Sequence, residues 1–521
     1  MTAQHALLSL LTMVDEGASA RVLEEHVWTA ALDFGRLLMS VGLSRMCGRA
    51  TESDVAARGL DIEQVTLRLD RDYHGTLSTT LGPVTFPWCA YRDRSAAAGT
   101  VTHTPAKAMV LPLFKHCRSS ELLLEWESRL GSDHPFRYAQ EALSFYSHGA
   151  VSREDTTIAR HMVTVGSVVS REWTYRTPED IAELLLTRAT RDPKTDRPLL
   201  YASSDAHALR TYVDETWDAQ WKMANGIRLW CIDRHTGATI HLGGEYTWGN
   251  CEKVQEAFEW LRDTGRMPAD GRMATGLNVQ VVLVTDGAPW IKERLVPLFP
   301  RAVVLLDAYH LLEAIAKYAT ARFLAGTASN KRFYQRALDA LFGKSRGKKP
   351  TTPAPRRGHV KRSREPIAAS TMPAHDAPHA RRRKRAPAAD RLLELLAEGV
   401  VPPTAQDEHD KLVNAINHNA DRIDYEQWRP RGYQIGSGAM ESLHRSASQT
   451  RLKVAGIRCL PETSQAVFNL RMLRLCGRWD EFWRHDSFTP LLVDAFASPA
   501  SKQQPQCNLV VDSVETFQDA A

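Results

Sequence analysis

A chain of 521 residues exceeds one ordinary core and implies about two to four structural units. Its apolar share of 43% can fill sizeable cores, yet no run approaches the roughly 18 apolar residues of a membrane span and no basic-then-apolar leader opens the chain, so a soluble, cytoplasmic protein without membrane partners is expected. The net charge of +5 conceals an asymmetry: residues 344–387 hold fourteen Lys/Arg against Glu365 and Asp376, a net of +12, which leaves −7 elsewhere. Eight scattered cysteines without a CxxC pair argue against a zinc module or a disulfide framework and predict reduced thiols.

Taken in chain order, residues 1 to about 60 place Leu7, Leu8, Leu11, Val22, Leu23, Val27 and Leu32 at helical spacing, a pattern for packing or dimerisation. Residues 65–91 change to short extended runs, and Gly82-Pro83 predicts the turn of a small β-hairpin. Together these form an N-terminal region, 1–125. Within a helical region, 126–190, two helices separated by Ser147-His148-Gly149 have helix-turn-helix spacing that leaves Thr157, Arg160 and His161 to face a groove. Glu154 and Asp155 would repel phosphate there, so a plain helical hairpin stands as the alternative.

From residue 191 to 343 the pattern is mixed α/β: three strands ending in ATIHLGGEYTW, a helix, the apolar strand VQVVLVTD, a helix WIKERLVPLF, the strand AVVLLD and a long helix from His310. Residues 344–387 are rich in Pro, Ala and Thr and poor in large apolar side chains, which predicts a disordered basic linker. Its Arg381, Arg382, Arg383, Lys384 and Arg385 suit a sequence-independent phosphate clamp, against the plainer reading of a solvated spacer. A helical insertion (388–430), a segment carrying a further acid (431–490) and a flexible tail (491–521) follow.

Two acids stand out. Asp286 follows the apolar run Val281 to Val284 at a strand's C-terminal end, a good position for a metal ligand, although Asp286-Gly287 is also a common turn pair. In IGSGAMESLHRSASQTRLK (Ile435 to Lys453) the glycines allow a tight turn and a helix should begin near Ala439, with Glu441 in its first turn, His444, Arg445, Ser448 and Leu452 on its face and Arg451 and Lys453 beside it. An acid among basic side chains suits a metal held against a nucleic-acid backbone; the plainer reading is an acid stabilised by the helix dipole.

This stretch, with GRWDEFW (Gly477 to Trp483) and VVLVTDGAPWIKERLVPLFPRAVVLLDAYHLLEAI (Val281 to Ile315), resembles bacterial insertion-sequence transposases of the ISKra type, a DDE group. The resemblance implies a ribonuclease H-like catalytic domain with a helical insertion, and two Mg²⁺ or Mn²⁺ ions held by Asp205, Asp286 and Glu441. Asp205 is the first acid on this reading: WDAQWK (Trp217 to Lys222) fits the tryptophan and lysine that follow it in the family, while Ala206-His207 replaces the usual glycine, and Asp214, Asp218 and Asp233 are rivals. Asp307 and His310 resemble an Asp-x-x-His motif of Mutator-like transposases and would orient a ligand or DNA. Arg445, Arg451 and Lys453 would contact phosphates. The implied function is cleavage of transposon ends and strand transfer into target DNA by a homo-oligomer associated with the bacterial nucleoid. The alternatives are a catalytically degenerate or domesticated DNA-binding protein and a nuclease of the same fold.

Overall fold

The computed structural model describes residues 3–47, 67–93, 113, 117–212, 219–343, 385–454, 457, 459–486 and 488–497. The basic linker up to Lys384, the aspartates Asp214 and Asp218, and the tail beyond residue 497 lie outside them. Among the described residues no helix is long and apolar enough to cross a membrane, and Cys117, Cys231, Cys251 and Cys476 are free thiols while Cys459 is disulfide-bonded, against the expectation of reduced thiols throughout.

Helices α1 (Ala3–Asp15) and α2 (Ala20–Cys47) precede a hairpin of β1 (Leu67–Thr79) and β2 (Gly82–Asp93). The turn is Thr80-Leu81 rather than Gly82-Pro83: Gly82 pairs with Thr79, and Thr79 Oγ1 donates to the Gly82 carbonyl at 2.8 Å, closing the corner two residues earlier.

Three helices follow, α3 (Glu121–Asp133), α4 (Phe136–Tyr146) and α5 (Asp155–Val168). The hairpin of helices forms and Arg160 is exposed, but His161 departs from its expected place. Ile158, Met162 and Val165 are fully buried, and His161 faces inward rather than a groove. There it contacts Glu127 of α3, whose fully buried carboxylate accepts from His161 Nδ1 at 2.5 Å and from Arg153 Nε at 2.9 Å; Cys117 Sγ lies 3.7 Å from the other ring nitrogen.

After α6 (Pro178–Thr187) comes a five-stranded sheet: β3 (Leu199–Tyr212), β4 (Ala219–Ile232), β5 (Thr239–Trp248), then α7 (Cys251–Asp263), β6 (Gln280–Thr285) and β7 (Val303–Leu306). The spatial order is β5-β4-β3-β6-β7. β3, β4 and β5 are antiparallel neighbours, whereas β6 runs parallel to β3, and β7 to β6. Both faces are covered, which explains the unbroken apolar run of β6. Leu200, Ala202, Val281, Leu283 and Val304 face α6 and α7; Leu199, Tyr201, Val282, Val284 and Leu305 face the opposite core with Tyr433 and Ala439. The helix expected over residues 290–299 is a wide turn, Ile291–Leu295, followed by a tight one, Val296–Leu298.

The insertion begins with α8 (Ala308–Phe323) and α9 (Ala328–Phe342) and resumes with α10 (Pro387–Leu396) and α11 (Gln406–His418), which share their own core. Pro387 is thus the first residue of a helix and not the last of a linker, a position its fixed φ favours. The chain returns through α12 (Gly438–Leu443), widened to π geometry over His444–Gln449, and ends in α13 (Pro461–Leu475), α14 (Trp479–Arg484) and α15 (Phe488–Ala497). α15 is helical where a flexible tail is expected, because Phe488, Leu492 and Phe496 bury its inner face.

Candidate active site

The last paired rung between β3 and β6 is Ser203 with Val284. Asp205 and Asp286 each stand two residues further on, so they sit side by side at the same level. Alternation then places both on the face of the sheet that carries Tyr201, Val282 and Val284. β3 does not end at Asp205 but continues to Tyr212, because Ala206 to Tyr212 still find partners on the long β4.

The helix bearing Glu441 packs on this same face. Asp205 pairs with Gly226 of β4, and a Cβ at Gly226 would lie 2.9 Å from His444 Cε1 and 3.2 Å from Met440 Cε. Only glycine admits α12 this closely. His444 Nε2 consequently stands 3.4 Å from Asp205 Oδ2, while its Nδ1 and the Tyr246 hydroxyl are 2.8 Å apart. His207, two residues along β3 and on the same face as Asp205, contacts Ser448 Oγ at 2.6 Å, its ring centroid 4.4 Å from that of His444. An Asp-x-His pattern on a strand is the signal that could have found His207.

The two aspartates differ electrostatically. Desolvation pushes the Asp205 carboxyl up, but the His444 contact and the charge of His310 outweigh it and hold it below the usual carboxylate range. Asp286 is open to solvent, yet the protein around it raises its carboxyl, and the Asp205 charge raises it further against the Ala288 amide at 2.9 Å. His310, hydrogen-bonded to Asp307, is raised to about 9, with the charges of Asp205 and Asp286 contributing. An imidazolium thus faces a pair of carboxylates.

Asp307 has a different task from its neighbours. It is buried and caps α8 through the Tyr309 amide at 2.9 Å, accepts from His310 Nδ1 at 2.6 Å, and accepts from the amide and hydroxyl of Ser437 at 3.1 and 2.5 Å. With four donors on two oxygens, it ties the Asp-x-x-His stretch to the glycine turn that launches Glu441. A cap alone is worth about 1 kcal/mol; the Ser437 contacts add a tether across the chain.

Glu441 is exposed and makes no ion pair among the described residues. Arg445 and Lys453 are exposed, as a phosphate contact requires. Arg451 corrects the expectation for the third base: it is 1% exposed, donates to the Gly131 carbonyl at 3.1 Å and lies over the Phe136 ring, because the π widening turns it into the helical core. Of the linker cluster, Arg381, Arg382, Arg383 and Lys384 lie outside the described residues, while Arg385 ion-pairs with Asp390 and donates to Asn417 Oδ1 at 3.1 Å. The rival Asp233 is occupied as a turn acid, paired with Arg188 and accepting from the His235 amide at 2.8 Å. Tyr309, 66% exposed beside this centre, escaped the sequence reading.

No family model and no curated protein matches this chain. Among solved structures, a Drosophila P element transposase strand transfer complex matches over 72% of this chain and 83% of that one, with 11% identity and a TM-score of 0.22. A likeness at that level adds nothing to the geometry.

Proposed function

We propose that the protein is a DDE-type transposase with a ribonuclease H-like catalytic domain, which cleaves transposon ends and transfers the freed strand into target DNA. The observation that carries this reading is the level placement of Asp205 and Asp286 on adjacent parallel strands, with the Glu441 helix docked across Gly226 on the same face. The strand order, with three antiparallel strands followed by two parallel ones, supports the fold assignment.

The chemistry is phosphoryl transfer: water breaks a phosphodiester and leaves a 3′-hydroxyl, which then attacks a target phosphodiester, forming one P–O bond as another breaks. Asp205 and Asp286 fit a divalent cation, since two oxygen-donor groups whose like charges oppose each other gain from a cation between them. Among the described residues no group of three or more His, Cys, Asp or Glu is close enough to hold one, so Glu441 does not yet join the pair. Bound Mg²⁺ or Mn²⁺ would neutralise charge building on the phosphate. His310 adds a cation facing the same space, Asp307 holds that imidazole in place, and Arg445 and Lys453 are free to pair with backbone phosphates.

Strand transfer with the purified chain, Mg²⁺ or Mn²⁺ and DNA from the flanks of its gene tests this. Joined products that vanish in Asp205→Ala, Asp286→Ala and Glu441→Ala are expected. The separation of Glu441 from the aspartates favours one alternative, a catalytically degenerate DNA-binding protein. Binding without metal-dependent cleavage, in an assay validated with an active transposase, would establish it.

A further inference from the structure

One rung of the sheet crosses three strands: Asp205 of β3 faces Gly226 of β4, and Gly226 in turn faces Tyr246 of β5. Directly opposed residues project from the same face, so the missing side chain at Gly226 leaves a slot between an acid and a phenol. His444, in the widened turn after α12, fills that slot. Its Nε2 is 3.4 Å from Asp205 Oδ2 and its Nδ1 is 2.8 Å from the Tyr246 hydroxyl, while a Cβ at Gly226 would meet both rings, His444 Cε1 at 2.9 Å and Tyr246 Cε1 at 3.0 Å. We propose that His444 is a positioning residue: fixed by Tyr246, it holds the Asp205 carboxylate in the orientation that receives a divalent cation. The role of that cation rests on the phosphoryl-transfer reading above.

The inventory of donors sets the direction of the bridge. A carboxylate only accepts, so the imidazole nitrogen facing Asp205 is the one that carries the proton. In a neutral ring Nδ1 is then the acceptor, and the Tyr246 hydroxyl donates to it. Tyr246 thereby selects the tautomer that Asp205 needs. His444 is buried, and its Nε2 makes no hydrogen bond elsewhere. A histidine that served packing alone would have its polar atoms bonded within the core; this one keeps a donor aimed at the acid.

Both ends of the bridge are held. Tyr246 is buried and stacks on Phe468 of α13, the ring centroids 4.2 Å apart and the planes 18° from parallel. The contact between Ser448 and His207 ties the widened turn to β3. Asp205 Oδ1 accepts from the Ala206 amide at 2.8 Å, which leaves Oδ2 to turn toward His444. The Asp205 side chain is still 25% exposed, so lone pairs remain open to an ion. Partners one step behind a metal ligand orient it in this way.

Mn²⁺ alone, titrated into the full chain and followed by the electron paramagnetic resonance of the free ion, tests this without DNA. Asp205→Asn should remove the site being measured. His444→Leu keeps bulk and loses the donor; it should weaken Mn²⁺ binding roughly 10- to 100-fold, the range for a partner behind a metal ligand. His444→Gln, whose side-chain amide can donate to Oδ2, should recover most of that loss. Tyr246→Phe removes one oxygen from a ring that stays stacked and should weaken binding in the same direction by less; it decides the matter if His444→Leu does not fold. With DNA present, cleavage by His444→Leu and Tyr246→Phe should require more Mn²⁺ yet approach the parent's kcat at saturation. Mn²⁺ affinity equal to the parent's in both variants, or His444→Gln binding no tighter than His444→Leu, would overturn the positioning role, as would Mn²⁺ binding that Asp205→Asn leaves unchanged. Affinities that follow the expected order in a chain that neither cuts nor joins DNA would uphold His444 as the positioning residue of Asp205 and overturn the transposase reading.

Discussion

Two polar clusters in this protein use similar residues to opposite ends. Around Glu127 the carboxylate is sealed from water and matched by Arg153 and His161, with Cys117 closing the far side of the ring. Around Asp286 the carboxyl is open to solvent, Asp205 beside it has the same charge, the two share the single cation His310, and Glu441 makes no ion pair among the described residues. Matched charge holds helices together, while unmatched charge leaves a demand that a ligand can fill. The first cluster should thus govern stability and the second activity.

The largest expected effect falls on the matched cluster. Glu127→Ala strands Arg153 and His161 in the helical core and should cost about 3–5 kcal/mol in denaturant unfolding. An unchanged midpoint would mean that the cluster is not what binds α3 to α5.

Titration provides a milder break. Burial alone would lower the His161 pKa, but its hydrogen bonds to Cys117 and Glu127 and the Glu127 charge raise it to about 9, above its ordinary 6.5. The stability it contributes is therefore fully present below about 6.5 and is lost as pH rises through about 9. His161→Gln should flatten the stability profile across that window, as thermal melts at stepped pH would reveal.

The basic residues separate in the same way. Lys453→Ala should weaken DNA binding and reduce the slope of log affinity against log salt by about 0.9, whereas Arg451→Met should leave the slope unchanged, since its guanidinium is buried. Equal slopes for both variants would put Arg451 back at the interface.

The smallest shift belongs to the unmatched cluster. Asp286→Asn removes a carboxylate whose charged form is disfavoured, so the melting midpoint should hold or rise slightly while metal-dependent cleavage is lost. A fall of more than about 1 kcal/mol would mark Asp286 as structural.

How much of this was legible in the sequence depended on the range of the forces involved. The apolar run before Asp286 identifies a strand covered on both faces, so that acid stands where it was expected. Asp205 was legible as a strand residue, but not the strand's continuation to Tyr212, which depends on how far β4 reaches. The helix from Gly438 was legible, yet even 3.6-residue spacing put Arg451 on the surface, and the π widening over His444–Gln449 turned it inward. His161 on a helix of mixed pattern read as groove-facing, but Glu127 of α3 and Phe496 of α15 enclose it. Asp307 and Ser437 both lie in stretches that drew notice, but nothing local joins residues 130 positions apart.

The excursion between those two stretches starts and finishes at one place. The Ala308 amide donates to the Ile435 carbonyl at 3.0 Å, so more than a hundred residues leave the end of β7 and come back beside it. Ends that meet this closely make the intervening segment a cassette: lengthening it adds only about 0.6 kcal/mol of closure entropy per doubling. The sheet and its acids can therefore stay as they are while the cassette beyond the first turn of α8, which carries His310, is enlarged, trimmed or exchanged.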